Sequence, residues 1–225
     1  MSTLTLGLDP GLAPTGWGLV RRAGSVTSYV AHGVLRTDPA LDTHARVQAL
    51  AAGLGVLLTT YRPDAVAIER WVHYGQSETT RAHDHGLVVG ARVAAAGAAG
   101  VPTLSVSRAQ DWRRALGMDP SATKTQAQHR VRMILGLADL LRPQHANDAT
   151  AVAIVAARDT RPLARAPASL RGWAGRGEVR LPVPAATARE LRTLLAVLAH
   201  GGAREVSAEV AGVVVTFVAP GGGAP

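Results

Sequence analysis

The sequence predicts an α/β fold: a mixed five-stranded sheet flanked by helices, followed by a small α+β extension at the C-terminus. Three observations predict it. Residues 4–9, 15–21 and 25–35 are alternating or apolar runs joined by short turns, the pattern of hairpin-linked antiparallel strands. Residues 64–69 (Asp-Ala-Val-Ala-Ile-Glu) are almost wholly apolar between two charged ends, as in a strand buried on both faces and parallel to its neighbour. Beyond residue 44, helical and strand-like segments alternate, which places helices on the sheet faces.

The first strand, 4–9, ends in Asp9 before a Pro10-Gly11 turn. An Asp there can simply start the turn; an acid closing a buried strand also suits a metal ion. Helix 44–60 gathers Val47, Leu50, Ala51, Leu54, Leu57 and Leu58 on one side. Arg62-Pro63-Asp64 breaks it, and the buried strand that follows ends in Glu69. A Gly- and Ala-rich helix over 78–99, a strand over 102–107, and helices over 108–116, 123–137 and 146–158 complete the series. In such a sheet the strand after the first crossover can insert beside the first strand. Asp9 and Glu69 then lie side by side, and they repel unless cations occupy the space between them. His145 and Asp148, three apart at a helix start, can project from one face. His145 or Asn147 can instead cap that helix, with Asp148 serving its dipole. Three carboxylates and one imidazole on separate elements suit Mg²⁺ or Mn²⁺ and not a structural zinc.

The composition narrows the partner. Cysteine is absent, which removes disulfides, thiolate nucleophiles and Cys-based zinc sites. No run of about eighteen apolar residues and no leader pattern occurs, so a soluble, cytoplasmic protein with no membrane partner is expected. The net charge of +8 calls for a polyanion. The basic excess lies in the second half, between 104 and 142 and again between 158 and 180. The predicted organisation is a core domain over 1–159, a basic Arg/Pro/Gly linker over 160–177, an α+β extension over 178–220 and a disordered tail over 221–225. Within the extension, a strand over 178–184, a helix over 186–200 and one or two strands over 205–218 with a turn at Gly212 are expected. That unit can bind DNA, extend a dimer or only cover a sheet edge, and extra packing or dimer contact is the favoured role.

Four stretches carry a family resemblance. Gly7-Leu-Asp-Pro-Gly-Leu with Thr15-Gly-Trp-Gly, Ala67-Ile-Glu69, Ser121-Ala-Thr-Lys-Thr-Gln-Ala-Gln-His129 and His145-Ala-Asn-Asp-Ala-Thr-Ala-Val-Ala-Ile resemble the RuvC family. Its members are Holliday-junction resolvases with a ribonuclease-H-like fold. The likeness spans about residues 3–158, with the motifs in family order. It implies a homodimer that nicks two opposed strands of a four-way junction symmetrically. It also implies that Asp9, Glu69, His145 and Asp148 hold two divalent ions, Mg²⁺ with Mn²⁺ able to substitute. Many members carry Asp where His145 stands, and some carry His. Two ions about 4 Å apart serve phosphodiester hydrolysis by activating a water and stabilising the leaving 3′ oxygen, giving 5′-phosphate and 3′-hydroxyl ends. The resemblance places Lys124, the sole lysine, near the scissile phosphate as a basic catalytic and DNA-contacting residue. Arg113 or Arg114 matches a second basic site, and Arg130 and Arg132 extend a phosphate-binding surface.

The stretch after Glu69 departs from the family, which tends to place a base-wedging Phe there. Here it reads Arg70-Trp-Val-His-Tyr74, in which Trp71, His73 and Tyr74 can each stack on a base. Helix 78–99 matches the family's dimer helix. A junction substrate also leaves room for a complex with a branch-migration helicase, and fits a nucleoid-associated location. Three rivals share parts of the pattern: a nuclease for forks, flaps or RNA-containing duplexes, a catalytically silent junction binder, and an actin-like phosphotransferase. The last expects a second Gly-rich phosphate loop and an adenosine motif, and the sequence offers neither.

Overall fold

A computed structural model describes residues 2–70, 79–106, 108–159, 205–210 and 213–218. β1 (Ser2–Asp9), β2 (Thr15–Ala23) and β3 (Val26–Thr37) form an antiparallel meander. Then come α1 (Thr43–Tyr61), β4 (Ala65–Glu69), α2 (Thr79–Ala98) and β5 (Thr103–Val106), followed by α3 (Ala109–Ala115), α4 (Lys124–Leu135) and α5 (Gln144–Arg158). β4 inserts parallel beside β1, and β5 lies parallel beside β4. The expected mixed five-stranded sheet is therefore present, in the order β5-β4-β1-β2-β3.

The sheet does not stop there. β6 (Glu205–Val210) and β7 (Val213–Val218) continue it past β3, making seven strands. β3 has twelve residues, and a bare strand of that length is an open template for pairing. β7 pairs with it antiparallel from His32↔Val218 to Thr37↔Val213. Of the roles weighed for the extension, its two strands take that of covering a sheet edge. The linker over 160–177, the strand and helix expected over 178–200, Gly212 and the tail over 221–225 lie outside the described residues. Among the described residues, no helix is long and apolar enough to cross a membrane.

Local sequence explains several of the helix ends. Asp42 caps α1 by accepting the Ala45 N–H at 2.9 Å. Thr123 and Gln126 close a reciprocal capping box at the start of α4, and Gly136 ends that helix in the left-handed region at φ 62°.

The two faces of the sheet bury separate cores. Leu4, Leu6 and Leu8 join Trp17, Leu19 and the α1 residues Leu50, Leu54 and Leu57 on one face. Ala67 and Val20 join Trp112 and the α5 residues Val152, Ala153 and Ile154 on the other. Side chains alternate along a strand, so Gly7 and Asp9 turn to the α5 side, as do Ala67 and Glu69. The strand period thus aims both carboxylates at one helix.

That helix lies unusually close to the strands. A Cβ on Gly16 would fall 1.9 Å from the His145 carbonyl oxygen, and one on Gly7 would fall 2.1 Å from that of Ala149. Gly16→Ala must therefore lift the start of α5 off the sheet. Overpacking of this kind costs about 1–3 kcal/mol, and a shift of about 1 Å at a reacting centre costs about a hundredfold in rate. Urea unfolding together with a cleavage assay checks both effects.

Candidate active site

The register Leu8↔Ile68 between parallel β1 and β4 makes Asp9 and Glu69 neighbours at the same strand ends. α5 begins at Gln144, with Pro143 at its N-cap position and no side-chain cap. The helix therefore starts two residues earlier than expected, and neither His145 nor Asn147 caps it. His145 and Asp148 stand in its first turns, above the two strand-end acids.

The charges of these groups reach one another. His145 Nδ1 lies 2.7 Å from Asp9 Oδ2, and this bond holds the imidazole above its ordinary pKa. Burial, with the charge of Asp9 second, pushes Glu69 up to about 7. Burial and then Asp9 push Asp148 up to about 6, against the pull of Asn147, Lys124 and His145. Carboxylates that oppose one another's ionisation in this way form a concentration of negative potential awaiting cations. The donor set, carboxylate oxygens with one imidazole, fits a hard divalent ion. With Asp9 turned to His145, however, no three His, Asp or Glu side chains among the described residues are gathered as ready ligands. Taking up an ion requires side-chain rotation toward a common point.

The basic residues fall into two groups. Lys124 is the first residue of α4, exposed at the site's rim, and its charge is felt by both His145 and Asp148. Arg113 and Arg114, equivalent in the sequence, separate in the structure. The Arg113 guanidinium lies 5.2 Å over the Trp112 ring, donates to the Pro120 carbonyl at 3.2 Å and acts on Glu69. Arg114 points outward to Asp111. Arg130 donates to the Leu116 carbonyl at 2.6 Å and Arg132 to that of Ala138 at 3.3 Å. Neither joins the acidic group. Trp71, His73 and Tyr74 lie outside the described residues.

Sequence reasoning missed two residues beside the acids. Trp112, 1% exposed, donates its indole N–H to Glu69 Oε1 at 3.0 Å. Arg92, also 1% exposed, reaches the turn after Asp9 from α2. An arginine amid the apolar positions Val88, Ala95 and Ala96 of that helix was the available signal for the second. For Trp112 no sequence signal distinguished a site residue from core. Because its N–H stabilises the ionised Glu69, Trp112→Phe raises that carboxyl further. The expected result is a cleavage rate depressed at neutral pH and recovering in alkali, read from a pH–rate profile.

A family model for crossover junction endodeoxyribonuclease RuvC matches residues 5–156. The RuvC of Rubrobacter xylanophilus is 38% identical over 149 residues, covering 66% of this chain and 82% of that protein. The RuvC of Syntrophomonas wolfei is 37% identical over 151 residues, covering 66% and 85%. Among solved structures, T. thermophilus RuvC in complex with Holliday junction substrate superposes with a TM-score of 0.59 at 33% identity, covering 68% of this chain and 91% of that one. The Thermus thermophilus RuvC structure gives the same TM-score at 34% identity, with coverage of 68% and 92%.

Proposed function

The chain belongs to the RuvC family of crossover junction endodeoxyribonucleases, and from that premise we propose that it resolves four-way DNA junctions by paired symmetric nicks. The observation that carries the reading is the convergence of Asp9 and Glu69, on adjacent parallel strand ends, with His145 and Asp148 on α5. These four residues would hold two divalent ions, Mg²⁺ or in its place Mn²⁺. When bound, the ions supply an activated water and stabilise the departing 3′ oxygen, so that 5′-phosphate and 3′-hydroxyl ends result. The chain's own residues prepare the site. Trp112 orients Glu69, Gly16 lets α5 lie low enough to bring Asp148 to the strand ends, and Lys124 offers a cation to the phosphate.

Two opposed cuts need two sites, hence a homodimer. α2 supports it: Gly86, Gly90 and Gly97 face open space where a Cβ would meet nothing within 4 Å, and exposed small residues let two helices approach closely. Branched DNA is the partner that the basic charge and the family favour, at the nucleoid of the cytoplasm.

The test is a cleavage assay on a labelled four-way junction with a mobile core, beside linear duplex, flap and fork, in Mg²⁺, Mn²⁺ or EDTA. Symmetric nicks confined to the junction are expected. Cutting of forks or flaps with an intact junction overturns the substrate, and tight binding without a cut in either metal overturns the activity. In the same assay Lys124→Ala should slow cutting about tenfold or more while junction affinity changes little, as for a group acting on charge in the transition state. A parallel fall in both would make Lys124 a plain backbone-phosphate contact.

A further inference from the structure

Arg92 is a buried cation outside the set of metal-binding side chains. It sits on the sheet face opposite α5, at 1% exposure. Its Nη2 donates to the Gly11 carbonyl at 3.1 Å and to the Thr15 hydroxyl. Thr15 in turn donates its hydroxyl to the same Gly11 carbonyl at 2.5 Å. Among the described residues, Nε and Nη1 are buried with no hydrogen-bond partner. Burial pushes the guanidinium down to about 9, opposed by the charge of Asp9, so it remains a cation at neutral pH. A buried charge with donors left over is expensive, and apolar replacement of buried ionic groups is often neutral or stabilising. The compensating gain must lie in what Arg92 holds.

What it holds is the turn leaving Asp9. Gly11 donates its N–H to the Asp9 carbonyl at 2.9 Å, and Thr15 begins β2 next to Gly16, the strand partner of Asp9. The turn is therefore tied at both ends to Asp9, and one guanidinium clamps Gly11 to Thr15 across it. We propose that Arg92 is a positioning residue of the nuclease site, bracing the 10–15 turn from behind the sheet so that Asp9 is held where it can serve a divalent ion. The proposal rests on the reading of Asp9 as a metal ligand. The sign of the effect distinguishes bracing from simple charge. A nearby cation repels a metal ion, so charge removal alone tightens metal binding, whereas loss of the brace weakens it.

The test uses the full chain without DNA and follows Mn²⁺ binding through the electron paramagnetic resonance signal of the free ion. Melting curves and junction cleavage are recorded alongside. Arg92→Met should weaken Mn²⁺ binding about tenfold to a hundredfold, the usual range for residues supporting a metal ligand. Arg92→Lys should recover part of the loss. Thr15→Val should shift binding in the same direction, and the double variant Arg92→Met/Thr15→Val should fall no further than Arg92→Met alone, since both remove one clamp. A folded Arg92→Met protein that binds Mn²⁺ as well as the parent, or better, overturns the proposal. Should Arg92→Met fail to fold, Thr15→Val decides: unchanged Mn²⁺ affinity then makes Arg92 a residue of the fold only. Asp9→Asn is the control for the underlying reading, because Mn²⁺ binding that survives it removes Asp9 from the ligand set whatever Arg92 does.

Discussion

Replacing Asp148 by Asn should leave a protein that binds four-way junctions and does not cut them. The amide has the shape of the carboxylate and cannot carry its charge. Asp148 lies under desolvation and the repulsion of Asp9, so neutralising it relieves the fold instead of straining it. The loss therefore falls on the chemistry. Metal-borne charge stabilisation is worth several kcal/mol of transition-state energy, and each 1.36 kcal/mol is tenfold in rate. Cleavage should drop by roughly a thousandfold or more, with junction affinity in Ca²⁺ or EDTA near that of the parent. Gel-shift and single-turnover cleavage measurements separate the two. Loss of binding, or a lowered melting temperature, would make Asp148 a structural residue.

The second large effect concerns stability. The metal-free protein should become less stable as pH rises from about 5 to 8. Glu69 is held at about 7 in the fold against an ordinary 4.5, so between these values the folded state binds more protons than the unfolded one. Stability then falls with rising pH; the loss begins near 4.5 and is complete above 7. His145, raised by its bond to Asp9, acts with the same sign, since its contribution is present at low pH and lost as the ring deprotonates. For Glu69 the size is on the order of 3 kcal/mol at 1.36 kcal/mol per pH unit, or roughly 5–10 °C in melting temperature for a chain of this length. Glu69→Gln should flatten that slope and melt higher than the parent in EDTA at pH 8, while losing cleavage. Mg²⁺ should restore the parent's stability increasingly as pH rises and do little for the variant. Calorimetry at several pH values, with and without Mg²⁺, checks this; equal slopes for the two proteins would contradict it.

The four candidate residues were legible because each sits where a sequence pattern changes. Asp9 and Glu69 end apolar runs, and His145 and Asp148 open a helix, so period and spacing sufficed to nominate them. Their meeting depended on β4 inserting beside β1, which chain connectivity favoured and the observed register supplies. Trp112 and Arg92 were not legible in the same way. Each acts through one hydrogen bond or clamp to a residue 43 or 77 positions away, and no local pattern encodes such a pairing. Pro143 carried the other lesson. Its fixed backbone angle starts α5 without a polar cap, so reading His145 or Asn147 as caps assigned them a task the helix does not require. The Val-rich strands 205–210 and 213–218 were expected as strands. A hairpin of that composition serves equally for a sheet of its own or for the edge of another, and only the bare length of β3 decides between them.

That stitched edge sets a schedule for synthesis. Leu35 pairs with Val215, 180 positions further along the chain. Translation at about 5–20 residues per second leaves β3 waiting roughly ten to forty seconds for its partner. The nuclease half can gather its own core in that interval, yet it does so with one flank of twelve residues unpaired. A nascent chain that stalls after α5 is thus the form most exposed to adhesion with its neighbours on the same messenger. Arrival of β7 ends that exposure over His32–Thr37, the half of the strand it pairs.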